Sequence, residues 1–204
     1  SKYAKQSGGR GQYGHCKVRF EPMDVNGEET FKFDSEVVGG AIPKEYIPAV
    51  GAGIEEAAKA GILGGFPVVG VHATVYDGSY HEVDSSEMAF KTAASIAYKE
   101  GLRQADPVML EPIGELKVIT PDENTGDIMG ELNKRRGRVL GMEPVENGIT
   151  MIQAEVPVRE MHDFAMYLRQ TTRGMGSFEL NFLRYEQLPA NLVSEVIASV
   201  SLDN

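Results

Sequence analysis

The sequence predicts an α+β protein made of two successive domains. The length of 204 residues allows two ordinary domains, each long enough to bury its own core. Segments that alternate between apolar and polar residues, as strands do, are interspersed with segments of helical periodicity. The pattern restarts near Glu111-Pro112, so we place a first domain at residues 1–112 and a second domain at residues 113–204.

Four strands and two helices are predicted in the first domain. The strands are expected at 14–23, 31–38, 68–76 and 108–110, and the helices at 43–60 and 84–104. The β-branched run at 68–76 is typical of a central strand. Asp84, followed three residues later by Glu87, matches a capping box and predicts Asp84 as the N-cap of the second helix. The inward face of that helix is expected to consist of Met88, Ala89, Ala93, Ile96 and Ala97.

The second domain is predicted to be a ferredoxin-like sandwich. Its strands are expected at 115–120, 139–143, 149–156 and 177–184, and its helices at 121–133 and 159–171. This order, β-α-β-β-α-β, is the ferredoxin-like arrangement, and Asn147-Gly148 supplies the turn between the two middle strands. The segment 189–200 is expected to form a C-terminal helix.

The composition excludes several classes of protein. Acidic residues outnumber basic residues by 30 to 20, and the net charge of −10 disfavours nucleic-acid binding through long-range attraction. A single cysteine excludes a disulfide framework and favours a reducing compartment, which together with the resemblance given below leads us to expect a cytoplasmic protein. No apolar run is long enough to span a membrane. Because the sequence begins with Ser rather than Met, we expect it to be part of a longer chain.

Two local basic segments contrast with this acidic background. Between Ser1 and Phe20 the chain carries five basic residues and no acidic residue. The glycine-rich stretch 7–15 within it contains Gln12 and Tyr13, a composition that suits contact with phosphates and stacked bases, and a solvated loop is the alternative. The second basic segment comprises Lys134, Arg135, Arg136 and Arg138, and its alternative is a solvated basic face.

The glycine-rich stretch also contains a G-x-G-x-x-G pattern, formed by Gly9, Gly11 and Gly14. A dinucleotide-binding fingerprint follows a strand and opens a helix. Here nothing strand-like is predicted before the pattern, and the alternating segment 16–20 follows it. This context favours a loop that leads into a strand over a cofactor cradle.

No catalytic motif is recognised. The four histidines lack the spacing of known ligand motifs, and neither a G-x-S-x-G motif nor a P-loop is present. His81, Glu82 and Asp84 form the densest cluster of metal-competent side chains, but a polar loop before a helix explains them as well. We therefore expect no catalytic site, no cofactor and no metal in this chain.

The loop that contains His81 is a candidate binding site for another reason. It lies between a predicted buried strand and the N-terminus of a helix, whose free N–H groups favour a phosphate. If the first strand runs beside the strand at 68–76, the glycine-rich loop and the His81 loop share one end of the sheet. Two loops at one end would form a protruding tip.

Several longer motifs resemble the family of bacterial translation elongation factor G. Those that resemble its fourth domain are Ser7–Gly14, Ile42–Val50, Gly78–Ser86 and Leu110–Pro112, and those that resemble its fifth domain are Gly126–Gly130, Asn133–Gly137, Glu155–Pro157 and Tyr167–Arg169. The motifs occur in order and cover almost the whole chain. The resemblance implies a split β-α-β domain with a left-handed crossover, against the usual right-handed rule, followed by the ferredoxin-like domain.

The resemblance also implies a function and a set of contact residues. The parent is a ribosomal translocase whose GTPase domain, with its GTP and Mg²⁺, lies outside this sequence. The implied tip contacts tRNA and mRNA at the small-subunit decoding centre and comprises Ser7, Gly8, Gly9, Arg10, Gly11, Gln12, Tyr13, Ser79, Tyr80, His81, Glu82, Val83 and Asp84, with Gln12 and His81 as the leading contacts. Lys134, Arg135, Arg136 and Arg138 are implied to contact large-subunit RNA near its GTPase-associated and sarcin–ricin regions. We expect a monomer that binds the ribosome and no membrane.

Three alternatives remain open at this point. The segment 158–164 departs from the family pattern at His162 and Asp163, which favours a diverged paralogue, and a ribosome-protection protein is a further relative. A stand-alone enzyme would use Cys16 and His81 and would require an activated thiol. A protein-docking module predicts ribosome association that is insensitive to salt, whereas phosphate contacts predict the reverse.

Overall fold

The structure is a computed structural model that describes residues 1–202 and divides into two compact units. The first unit comprises Ser1–Val108 and the chain from Asn191 onward, and the second comprises Met109–Ala190. The strands are β1 (Lys2–Lys5), β2 (Gln12–Pro22), β3 (Phe31–Ser35), β4 (Val71–Ser79), β5 (Leu110–Pro121), β6 (Arg138–Pro144), β7 (Ile149–Pro157) and β8 (Ser177–Gln187). The helices are α1 (Ile47–Ala58), α2 (Glu87–Gln104), α3 (Thr125–Lys134), α4 (Phe164–Thr171) and α5 (Ala190–Leu202). The predicted α+β class is confirmed.

The first unit contains one four-stranded sheet with the order β1-β2-β4-β3. β4 is central, as predicted, and pairs antiparallel with β2 and parallel with β3. The parallel β3 and β4 are joined through α1, so this connection is the crossover of the split β-α-β arrangement. Side chains of α1, α2 and the sheet form one core, which includes Cys16, Ile54, Val75, Phe90 and Tyr98.

Helix α2 differs from its prediction at its cap and on its buried face. Ser86 is the N-cap, because its side-chain oxygen accepts a hydrogen bond from the Ala89 N–H at 3.1 Å, and Asp84 makes no cap bond. The buried residues are Ala89, Phe90, Ala93, Ala94, Tyr98 and Leu102, whereas Met88 and Ile96 are exposed. The backbone of the helix lies so close to β2 that only glycine fits at position 14 without a shift of strand or helix.

The edges of the first unit were predicted less well. The expected strand at 108–110 is wrong, because Val108 lies outside any strand and Leu110 begins β5 of the second unit. The fourth strand of the sheet is β1, which the sequence did not indicate because only Tyr3 among its four residues is even half-buried. Such an edge strand lacks the alternation that identifies more buried strands.

The division between the units lies four residues before the predicted boundary at 112/113. Glu111 and Pro112, where the sequence pattern restarts, are strand residues that pair with Glu186 and Tyr185 in β8. The C-terminal helix α5 is present, but it groups with the first unit and not with the second domain to which the sequence assigned it. An X-Pro step favours extended backbone, which a strand uses as readily as a linker.

The second unit has the predicted ferredoxin-like topology. Its sheet order is β6-β7-β5-β8, all neighbours are antiparallel, and the chain order is β-α-β-β-α-β. Alternate residues of the central strands, such as Leu116 and Ile152, pack with Ile128 of α3 and Phe164 of α4 in one core. Within residues 1–202, none of the helices combines the length and apolar character that a membrane span requires.

Candidate nucleic-acid interface

Two chain segments meet at one end of the first sheet, and we call them the first tip segment (residues 7–13) and the second tip segment (residues 79–84). The first lies at the start of β2 and the second at the end of β4. Because β2 and β4 are antiparallel, with His15 opposite Ser79, these ends lie side by side. The predicted pairing of the two strands, and the position of both segments at one end of the sheet, are confirmed.

Several hydrogen bonds connect the two tip segments, and three of them involve Val83 or Asp84. The Gly11 N–H donates to a carboxylate oxygen of Asp84 at 3.0 Å, and the Tyr13 N–H donates to the Asp84 carbonyl at 2.9 Å. The Arg10 side chain donates through Nε to the Val83 carbonyl at 2.9 Å. A Cβ at position 11 would lie 3.0 Å from the Lys5 carbonyl oxygen and 3.2 Å from Asp84 Cγ, so the close approach favours glycine.

Asp84 is therefore turned inward. Its side chain is 24% exposed, and its second carboxylate oxygen lies 3.5 Å from Nδ1 of His81. The sequence predicted this residue both as a helix cap and as an RNA contact. The structure contradicts the first role and gives the carboxylate a partner within the tip.

The outer surface of the tip carries several side chains that suit contact with nucleic acid. Exposed residues of the two segments are Ser7, Gly8, Gly9, Arg10, Gln12, Tyr80, His81, Glu82 and Val83. The His81 side chain is 57% exposed and Tyr80 is 45% exposed, which leaves an imidazole and a phenol ring at the surface. Gly8 and Gly9 have φ values of 57° and 144°, a region that glycine adopts without strain.

Tyr13 is less available than the sequence suggested. It is half-buried, and its hydroxyl lies 2.7 Å from Oγ of Ser79, which is also 2.7 Å from Nδ1 of His15. The ammonium of Lys2 lies 5.2 Å from the centre of the Tyr13 ring. Burial lowers the pKa of His15, which favours the neutral imidazole. Tyr80 is the better candidate for stacking on a base.

Two further basic side chains lie on the strand that precedes the first tip segment. Lys2 and Lys5 of β1 are exposed, and Lys5 pairs with Gln12 across the β1–β2 ladder. They were not among the predicted contacts, although the absence of acidic residues before residue 21 was the signal that could have found them. With Arg10 they give this edge of the tip a positive character.

The context of the G-x-G-x-x-G pattern is strand–loop–strand. The expectation that no strand precedes it is wrong, because β1 does, but β2 and not a helix follows it. Gly14 serves packing: a Cβ there would lie 2.4 Å from the Ala89 carbonyl oxygen in α2. The pattern thus has the geometry of a hairpin packed on a helix and not that of a pyrophosphate cradle.

The structure also bears on the stand-alone enzyme. Cys16 is fully buried in the core, and burial raises the pKa of its thiol to about 11, the opposite of an activated nucleophile. His81 lies at the surface of the tip. Among the described residues, no group of three or more His, Cys, Asp or Glu side chains could hold a metal ion.

The basic run of the second unit is divided between paired and available side chains. Arg135 is 11% exposed, donates to the carboxylates of Glu131 and Asp163, and lies 5.6 Å from the ring centre of Phe164. It also donates to the Glu160 carbonyl at 2.7 Å. This arginine is a structural element of the α3–α4 layer.

Arg136 is likewise engaged. Its guanidinium makes a two-pronged contact with the buried Glu111, at 2.9 and 2.7 Å, and its backbone has a φ of 60°, unusual for a residue with a side chain. Arg138 donates to Glu155 at 2.7 Å but is 70% exposed. Lys134 is exposed and forms no ion pair with any residue between 1 and 202. Lys134 and Arg138 therefore remain the most accessible candidates for phosphate contact.

Comparison with known proteins agrees with the resemblance seen in the sequence. The family described as elongation factor G, domain IV, matches residues 1–106, and that described as elongation factor G C-terminus matches residues 108–196. A crystal structure of a protein from Thermus thermophilus superposes with a TM-score of 0.86 and 44% sequence identity over 100% of this chain. The chain spans 30% of the length of that protein.

Proposed function

We propose, from the premise that this chain belongs to the elongation factor G family, that it is the C-terminal part of a ribosomal translocase. In this proposal the tip of the first unit enters the A site of the small subunit and holds the tRNA–mRNA duplex after it has moved. The GTPase domain that drives the movement lies outside this sequence. The 204 residues contain no P-loop, so nucleotide and Mg²⁺ are not expected to bind here.

The observation that carries the proposal is the pre-formed tip. Hydrogen bonds through Asp84 and Val83 hold the two segments together by contacts within the protein itself. A tip that is already ordered loses little conformational entropy when it binds, so its contacts contribute more of their energy to holding the RNA. The exposed Gln12, Tyr80 and His81 offer hydrogen bonds and one aromatic face for that purpose.

The second unit is proposed to contact large-subunit RNA. Lys134 and Arg138 are exposed and would meet phosphates directly. Arg135 and Arg136, included among the predicted contacts, are assigned instead to holding the surface in shape, because each is occupied by carboxylates. Phosphate contacts of this kind make binding sensitive to salt, which distinguishes them from a protein-docking surface.

One of the two departures from the family pattern, which favoured a diverged paralogue, has a structural explanation. Asp163, one of the two positions that depart from the family pattern, accepts a hydrogen bond from Arg135 and so has a structural role within the second unit. The departure therefore needs no change of function to explain it. A ribosome-protection role remains the second candidate, since such proteins share the architecture.

The test is a translocation assay with the full-length parent protein on pre-translocation ribosomes, read as the advance of the mRNA by one codon. His81→Ala and Gln12→Ala should each slow the advance about 5- to 150-fold, corresponding to about 1–3 kcal/mol for a lost base or backbone contact. His162→Ala is the matched control, because His162 is an exposed histidine of the second unit. Ribosome-stimulated GTP hydrolysis should stay near the parental rate in all three variants.

Three results would contradict the proposal. Parental translocation rates for both tip variants would show that the tip does not hold the RNA. Binding of the unaltered parent protein without any mRNA advance would favour the paralogue or the protection role. Ribosome affinity that does not change with salt would instead indicate a protein-docking module.

A further inference from the structure

We propose that Ser85, which follows the second tip segment, is a positioning residue that sets the geometry of the tip without touching RNA. The inference rests on the proposed function, because it assigns Ser85 a role in placing His81 and Tyr13. Ser85 is only 4% exposed, and it was not among the contacts that the sequence indicated. Asp84 is assigned to the same role, in place of a direct RNA contact.

The hydroxyl of Ser85 bridges the two tip segments. It donates to the Tyr13 carbonyl at 2.9 Å and accepts from the His81 N–H at 2.9 Å. The Ser85 N–H also donates to the His81 carbonyl at 2.9 Å, which closes the loop around His81. One buried side chain therefore fixes the backbone on both sides of the tip, although Tyr13 and Ser85 are 72 residues apart.

Capping of helix α2 does not explain the position of the Ser85 hydroxyl. The cap of α2 is supplied by the neighbouring Ser86, whose Oγ binds the Ala89 N–H. Removing the Ser85 hydroxyl would leave the Tyr13 carbonyl and the His81 N–H without this partner in a partly buried place. The expected consequence is a looser loop and a misplaced imidazole, not loss of the core, which lies further along β2 and α2.

Asp84 holds a different residue of the first tip segment, Gly11. Its carboxylate receives the Gly11 N–H at 3.0 Å, and an anion at this position is repelled by the phosphates of RNA. Asn can accept the same hydrogen bond through its side-chain oxygen. Asp84→Asn should therefore retain the tip geometry that Asp84→Ala loses.

The first experiment measures amide hydrogen exchange in the full-length parent protein away from the ribosome. Ser85→Ala should speed exchange at His81 and at residues 12–13, and Asp84→Ala should speed it at Gly11, each by about tenfold or more. The matched control is Ser86→Ala, which removes a hydroxyl from the next residue and should affect the first turn of α2 instead. Unchanged exchange at His81 in Ser85→Ala would overturn the proposal, whatever the translocation rate.

The second experiment measures translocation in a double-mutant cycle. Ser85→Ala should slow mRNA advance by about tenfold or more in the parent, because small displacements of a contact group reduce rates strongly. In the His81→Ala background the same substitution should have a much smaller effect, since the group that it positions is gone. Equal effects in both backgrounds would indicate general destabilisation and would overturn the positioning role.

The two experiments also separate this inference from the proposed function. Faster exchange in Ser85→Ala together with a parental translocation rate would overturn the positioning role, even where His81→Ala alone slows the ribosome. If His81→Ala has no effect either, the proposed function fails. A parental rate for Asp84→Asn beside a reduced rate for Asp84→Ala would support positioning over charge.

Discussion

The tight contact between β2 and α2 predicts how the first unit responds to one added methyl group. An ideal Cβ on Gly14 would lie 2.4 Å from the Ala89 carbonyl oxygen and 2.9 Å from the Phe90 nitrogen. Both obstructing atoms belong to backbone, so strand and helix must separate by about 1 Å to restore ordinary contact. Overpacking of this kind costs about 1–3 kcal/mol. Gly14→Ala should therefore raise the population of opened first unit about 5- to 150-fold.

The single cysteine provides the assay. Cys16 lies two residues from Gly14 in β2 and is fully buried, so an alkylating reagent reaches it only after the first unit opens. Where closing is faster than labelling, the labelling rate follows the population of the open form. The labelling rate of Gly14→Ala, divided by that of the protein without the substitution, should therefore equal the predicted increase of about 5- to 150-fold in the open population.

The control is the same substitution at a glycine with space around it. Apart from its chain neighbours and the adjacent backbone of its own helix, no described atom lies within 4 Å of a Cβ built on Gly130 in α3 of the second unit. Gly130→Ala should stabilise α3 by about 0.5–1 kcal/mol through helix propensity and leave the labelling of Cys16 unchanged. If Gly14→Ala were labelled at the parental rate, the reasoning from backbone contact would be refuted.

Three further predictions concern single side chains. Glu111→Gln removes the charged partner of Arg136 and should lower the free energy of unfolding by about 1–3 kcal/mol in urea denaturation, whereas Glu100→Gln, at an exposed pair, should change it by less than about 0.5 kcal/mol. Arg184 and Arg138 lower the pKa of Glu155 from 4.5 to about 2. The carboxylate therefore contributes fully to the free energy of unfolding above pH 4.5, and this contribution is lost as the pH falls from 4.5 to about 2. Acid titration should show that loss in the parent and a flatter profile in Glu155→Gln. Ser86→Ala should cost about 1 kcal/mol of helix-cap energy in thermal unfolding, and no change would contradict the cap.

The tip was predictable because it depends on the pairing of two well-marked strands. β-branched residues identify β4, alternation identifies β2, and their antiparallel pairing places the glycine-rich segment beside His81. The inward turn of Asp84 was not predictable. Its spacing to Glu87 satisfies the rule for a capping box, and only the three-dimensional approach of Gly11 shows that the carboxylate has another partner.

The basic run of the second unit shows a different limit. Lys134, Arg135 and Arg136 look equivalent in the sequence, but Arg135 and Arg136 are paired with carboxylates that lie far along the chain, whereas Lys134 is paired with none of the described residues. Glu111 is 25 residues from Arg136, and Glu160 is 24 residues from it. Local composition cannot reveal ion pairs of this separation, so it overestimates the charge that is available to RNA.

The way in which the tip is assembled has a consequence for the synthesis of the protein. Gly11 and Asp84 are 73 residues apart, and Gly14, which follows the first tip segment directly, packs against Ala89 in the first turn of α2. Contacts between such distant residues form late, because a long loop must close before they gain any energy. A nascent chain that has not yet emerged beyond residue 89 therefore has no tip, and under the proposed function it would not compete with the mature protein for RNA.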